Sequence, residues 1–217
     1  RRQRQMCIRD RFQAIGLDKA AIYVKGLLGL IEYPPRPYDV VIAVVATSEG
    51  VSRREIGRHR WADMRPMWNM PKEGFKQLYE QIPGNKPDFE EVWRLTSGNP
   101  AMLSSLYRAN WNAEKVVSDI VMRKNLKPFI ASLSDEEKRI LTKAVEDPDT
   151  LMTREGIPLM NKLVDMNLIM EIPEWRDPWY WTGEPPPEKD PELGIGRDLA
   201  WQTPIHREAV RKVLREF

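Results

Sequence analysis

Residues 38–61 read YDVVIAVVATSEGVSRREIGRHRW. The run from Val40 to Val45 is apolar and mostly β-branched. It is too short to span a bilayer and too continuous for a strand wetted on one face. It predicts a strand buried on both faces, the kind that parallel sheets contain. The strand runs into two hydroxyls, Thr47 and Ser48, then Gly50, and the next turns are crowded with Arg53, Arg54, Arg58, His59 and Arg60. Open α/β sheets bind ligands beyond the carboxyl ends of their strands, so this order places polar chemistry at a ligand edge. The same residues also read as a core strand followed by a solvated basic helix, and composition alone does not separate the two.

Working outward, Ala20 to Ile31 is helical by pattern, with Ile22, Val24, Leu27, Leu28 and Ile31 near the helical period. Pro34-Pro35-Arg36-Pro37 stops it and forms a stiff turn into the strand. Downstream, Pro71 to Gln81 predicts a helix with a buried side of Phe75, Leu78, Tyr79 and Ile82. Gly84 to Pro87 is a linker. Three short helices follow, at Phe89–Leu95, Ala101–Tyr107 and Ala113–Lys124, punctuated by Ser97-Gly98 and Asn99-Pro100. The capping box Ser134-Asp135-Glu136-Glu137 opens a helix reaching about Glu146. Gly156 to Met166 is a further helix. Leu168–Ile172 and Leu199–Gln202 pair as a hairpin around a long Pro-, Gly-, acid- and Trp-rich loop, and Pro204–Glu216 closes the chain as a helix. Helices, a hairpin with a long tip and a last helix follow the order of a winged helix. No internal repeat is visible.

Residues 1–10, RRQRQMCIRD, back-translate into a DNA string that resembles the transposase adapter of sequencing libraries, with AG opening codon 11. They are read as a scar of DNA handling and set aside from fold reasoning. The alternative is a basic arm that binds nucleic acid. The segment holds four arginines and one aspartate, so without its +3 the formal net charge of +2 becomes −1. The basic balance is then no argument for a nucleic-acid partner. The one cysteine, Cys7, goes with the segment, leaving no disulfide or thiolate metal site, which suits a reducing cytoplasm. No signal-peptide pattern is present, and no membrane partner is expected.

The segments EYPPRPYDVVIAVVATSEG, IGRHRW, MPKEGFKQLYEQIP and VWRLTSGNP resemble the archaeal ATPase family, which belongs to the AAA+/STAND-like P-loop NTPases. The resemblance runs from Phe12 to Phe217, most strongly to Trp111. It implies an α/β remnant of a P-loop NTPase core over residues 12–83, a helical lid over 84–127 and a C-terminal winged-helix domain over 128–217. The family's phosphate-cradling G-x-x-x-x-G-K-[ST] loop does not occur in the 217 residues. Phe12-Gln13 resembles the residues just after the Walker B acid pair, so the expectation is a truncation inside Walker B. The parent would use ATP and Mg²⁺, whereas the fragment would bind neither usefully and would be inactive.

The resemblance assigns roles to particular residues. Thr47 and Ser48 stand at the sensor-1 position, where a hydroxyl can bond the attacking water or the γ-phosphate; strand-end capping is the plainer use. Arg58 or Arg60 would be a catalytic arginine, a finger offered to a neighbouring subunit of a homo-oligomer, or a salt-bridged helix face near Glu49 and Glu55. Gly98-Asn99-Pro100 resembles the Gly-x-Pro lid motif whose proline packs on adenine, against plain helix punctuation. His206, in TPIHREAV, resembles the phosphate-contacting histidine of a Met-His-Asp motif, with Ile205 and Arg207 replacing its neighbours; a surface histidine is the simpler alternative.

A winged helix suggests DNA, but its candidate reading helix, Pro158 to Met166, offers only Asn161 and Lys162 beside Asp165. Its wing, Glu174 to Asp198, carries seven acids against Arg176, Lys189 and Arg197, so phosphates would be repelled. A protein partner met through the winged helix, or through Trp175, Trp179, Tyr180 and Trp181, is preferred; those aromatics also suit packing of the wing onto the body. No metal-ligand cluster and no G-x-S-x-G elbow are visible. A DNA-binding regulator and a non-catalytic interaction module are the alternatives to an ATP-dependent switch. Sequencing the locus from intact DNA is expected to show residues 1–10 replaced, with an acidic codon directly before Phe12; an unchanged reading frame there refutes the scar.

Overall fold

The computed structural model describes residues 3–9, 17–46, 63–172 and 176–217. The chain divides into two compact units, Arg1–Met64 and Arg65–Phe217. In the first, strand β1 (Gln3–Arg9) leads to helix α1 (Leu17–Glu32) and strand β2 (Val40–Ala46). The strands are parallel, with Gln3 opposite Val40 and Arg9 opposite Ala46. Parallel neighbours need a crossover of this length, and α1, which packs on β2, supplies it. Residues 3–9 thus fill the strand position beside β2. One expectation fails here. Val40, Ile42 and Val44 share one face of β2 and remain 42–51% exposed. A two-stranded sheet with one helix has cover for a single face, so the continuous apolar run is not buried twice.

The second unit is mostly helical: α2 (Lys72–Glu80), α3 (Phe89–Thr96), α4 (Pro100–Arg108), α5 (Ala113–Arg123), α6 (Leu126–Ala131), α7 (Asp135–Glu146) and α8 (Ile157–Asp165). Antiparallel strands β3 (Ile169–Glu171) and β4 (Leu199–Trp201) precede helix α9 (Pro204–Leu214). Capping chemistry sets most starts. Asp88, Asn99, Asn112, Ser134 and Thr203 each accept from the first-turn amides of the helix they open. The Ser134–Glu137 capping box forms reciprocally.

A single hydrophobic cluster runs from Phe75 through Leu103, Leu126, Leu141 and Leu163 to Val213. The segments 84–127 and 128–217 therefore share one core, and helix α2 belongs with them. Helix α9 packs against α3, α5, α6, α7 and β4. Trp201 is fully buried and its indole N–H donates to the Ala144 carbonyl, joining β4 to α7. Helix α6 escaped the sequence reading. At six residues with Pro128 inside it, the segment carries too little periodic signal, and packing of Leu126 and Ile130 holds it.

The long excursion between β3 and β4 closes on a second, smaller cluster of Ile172, Trp181, Leu193, Ile195 and Ala200, with Trp68 packed against it. Three backbone amides entering β4, those of Arg197, Asp198 and Leu199, donate to the Asp149 carboxylate at 2.6–3.1 Å. The Arg207 guanidinium donates to the carbonyls of Pro191 and Glu192. The excursion is thus pinned at both flanks rather than left as a free arm. An Asp149→Ala change orphans three donors at once. It is expected to cost about 2 kcal/mol or more in urea unfolding, with faster amide exchange at residues 197–199.

Candidate functional site

The turn between α3 and α4 is the best-defined feature among the residues singled out in the sequence. Gly98 has φ +78°, and a Cβ there would overlap the Met70 carbonyl oxygen, so only glycine fits. The Gly98 carbonyl accepts from the Met70 amide at 3.0 Å. Asn99 caps α4: its Oδ1 accepts from the amides of Ala101 and Met102. Its Nδ2 donates to Asn69 Oδ1 at 2.8 Å. Pro100 takes the first helical position, where it needs no partner for a missing N–H, and its ring is exposed.

From Asn69 a chain of side-chain amides continues into the hairpin. Asn69 Nδ2 donates to the Gln202 carbonyl at 3.3 Å, and Gln202 Nε2 donates to Asn167 Oδ1 at 2.9 Å. Gln202 is followed by Thr203, the cap of α9. The Thr203 hydroxyl oxygen accepts from the His206 amide at 3.3 Å and lies 2.8 Å from His206 Nδ1. The direction of that hydroxyl–imidazole bond follows the ring tautomer, and either way Thr203 fixes the orientation of the His206 ring. Burial, then Lys124 and Arg123, lowers the His206 pKa to about 4. Lys124 donates to the Met166 carbonyl at 2.8 Å, and burial followed by Arg123 lowers its own pKa.

The structure therefore links Gly98-Asn99-Pro100 to the segment carrying His206 through Asn69 and Gln202. Neither of those two was singled out in the sequence. Each is a lone amide in an ordinary context, and only the fold shows what it bridges. Thr203 was legible, because Thr-Pro opening an apolar-periodic run is a helix-start signature. Thr47, Ser48, Arg58 and Arg60, with His59, lie outside the described residues, as do Glu174 and Trp175.

For a nucleotide, the arrangement fits in part. The exposed Pro100 ring offers an apolar face for a base, whereas His206, kept neutral at pH 7 by burial, offers no ion pair to a phosphate. The Asn99 Oδ1 is fully used by two amides, and one of its two Nδ2 N–H groups is engaged by Asn69. Among the described residues no group of acids, histidines or cysteines could hold a metal ion.

On α8, Ile157, Pro158, Asn161, Lys162 and Asp165 are exposed. Lys162 is held by Glu137 at 2.8 Å, and that hydrogen bond leads in lowering the Glu137 pKa. In the wing, Lys189 pairs with Asp147 and Asp149. Trp181 is buried, while Trp179 and Tyr180 are exposed, with the Arg65 guanidinium 5.4 Å from the Trp179 ring centroid. Among the described residues no helix is long and apolar enough to cross a membrane.

Residues 2–106 match the profile of a family described as an ATPase domain predominantly from Archaea. The match spans β1 to the last turn of α4 and takes in the Gly98–Pro100 turn. No curated protein and no solved structure matches the chain.

Two outcomes follow from this geometry. Gly98→Ala forces a side chain into a left-handed position against the Met70 carbonyl and is expected to destabilise by roughly 1–3 kcal/mol. The His206 pKa is depressed on folding, so below the ordinary histidine pKa near 6.5 the unfolded chain binds the extra proton. Stability at this site is intact above about pH 6.5 and falls as the pH drops towards 4, by roughly 3 kcal/mol at most. Urea midpoints of the wild type and His206→Gln at pH 7 and pH 4.5 test this: the wild type is expected to lose more of its stability than the variant.

Proposed function

We propose that this chain supplies the sensor strand, helical lid and C-terminal winged-helix module of an ATP-driven switch of the AAA+/STAND-like kind. The profile match across residues 2–106, ending just past the Gly98–Pro100 turn, carries the reading. The parallel strand pair joined by a helix supports it, because that is the connection the α/β cores of such proteins use. The G-x-x-x-x-G-K-[ST] phosphate loop does not occur in the 217 residues, so the assigned roles concern only the residues present.

The assigned roles are these. Thr47 or Ser48 bonds the attacking water or the γ-phosphate at the end of β2. Arg58 or Arg60 stabilises charge on the transferring phosphoryl group, within the subunit or across a homo-oligomer contact. Pro100 packs on the base. His206 contacts a phosphate oxygen as a neutral ring, and the Thr203 hydroxyl orients it. Mg²⁺-ATP, when bound, supplies the phosphoryl group passed to water, and the nucleotide state would be read through the lid and the α9 segment. The C-terminal module meets a protein partner. Its acidic wing and the neutralised Lys162 argue against duplex DNA.

Labelled-ATP equilibrium dialysis with Mg²⁺ tests the reading. The 217-residue chain is expected to bind negligibly at millimolar nucleotide and to show no ATPase activity. The gene read from intact DNA is expected to encode a phosphate loop upstream and to yield an active enzyme. Tight stoichiometric binding by the chain as written, or an intact gene without that loop, overturns the assignment. A salt-dependent shift of duplex DNA would favour the regulator instead.

A further inference from the structure

We infer that residues 65–70, Arg65-Pro66-Met67-Trp68-Asn69-Met70, are a strap that couples the wing to the Gly98-Asn99-Pro100 turn. The inference rests on geometry within the second unit and does not depend on nucleotide binding.

The segment has no helix or ladder of its own; residues 65–71 carry no regular secondary structure between the unit boundary and α2. Its fastenings divide between two places. At its front, the Arg65 guanidinium lies over the exposed Trp179 ring, and the Pro66 carbonyl accepts from the Thr182 amide at 2.9 Å. Trp68 packs against the wing's apolar cluster, while Met67 faces solvent. At its back, Asn69 is shared: its Oδ1 accepts from Asn99 and its Nδ2 donates to the Gln202 carbonyl. Met70 then donates its amide to the Gly98 carbonyl at 3.0 Å, at a left-handed position where a Cβ would overlap the Met70 carbonyl oxygen.

Each polar fastening is weak alone, since a net hydrogen bond or an exposed cation–π contact contributes about 1 kcal/mol, and the half-buried Trp68 and Met70 add apolar contact at the two ends. A segment held this way sits at the low-stability end of a fold. Wing and turn nonetheless share it. A wing that lifts takes Trp68 and Pro66 with it and removes the backbone that orders Gly98 and Asn99. A turn that rearranges frees Asn69 and Met70 and loosens the wing's inner side. Coupling of this kind is reciprocal by thermodynamic necessity.

Two mild variants test it by native-state amide exchange of the full chain. Trp179→Ala removes the front contact at an exposed site. Asn99→Ser keeps a helix cap but is too short to reach Asn69. Trp179→Ala is expected to speed exchange at Met70, Ala101 and Met102 by about three- to tenfold. Asn99→Ser is expected to speed exchange at Thr182 by a similar factor. The amides of Leu141 and Val145 in α7 serve as the reference, so that any general loss of stability is subtracted. A far-end rise beyond that of α7 in both variants supports the strap. A rise confined to the mutated end, or one no larger than that of α7, overturns it.

Discussion

The apolar face of α9, made of Ile205, Ala209, Val210 and Val213, is the surface on which the second unit is assembled. Helices α3, α5, α6 and α7 and strand β4 pack on it. The helices of residues 89–146 therefore complete their core only against a segment far along the chain from most of them. Burial of those side chains at roughly 25 cal/mol per Å² is the dominant favourable term, and it joins what the sequence presents as separate blocks.

Polar chemistry is arranged around that helix. Thr203 caps it and orients His206, Arg207 reaches back to the carbonyls of the wing, and Gln202 just before it accepts from Asn69. The α9 start is therefore where the lid turn, the hairpin and the wing converge. A shift of α9 has to disturb all three. The low His206 pKa follows from the same crowding: the ring is buried next to two cations, so it is neutral at physiological pH.

Much of this was legible from local pattern. The helix starts at Asp88, Asn99, Ser134 and Thr203 were readable because a cap needs only neighbours in sequence. The hairpin strands and the long Pro- and Gly-rich tip were readable for the same reason. The resemblance to an archaeal ATPase domain stood on short segments, and residues 2–106 do match that family's profile. The β2 run shows where pattern misleads. Six apolar residues in a row state that the strand favours cover, but not whether two layers are present to give it. In the first unit Val40, Ile42 and Val44 stay exposed.

Residue identity alone established where helices begin, where glycine is required to turn the chain, and which segments are apolar enough to seek a core. These depend on contacts a few positions apart. Partnership across the chain was settled only by packing. Asn69 joins residues 30 and 133 positions away, and Asp149 receives amides 48 to 50 positions on. Such pairings arise when the shared core brings distant backbone together, and a lone amide or carboxylate carries no local mark of the donor it will meet.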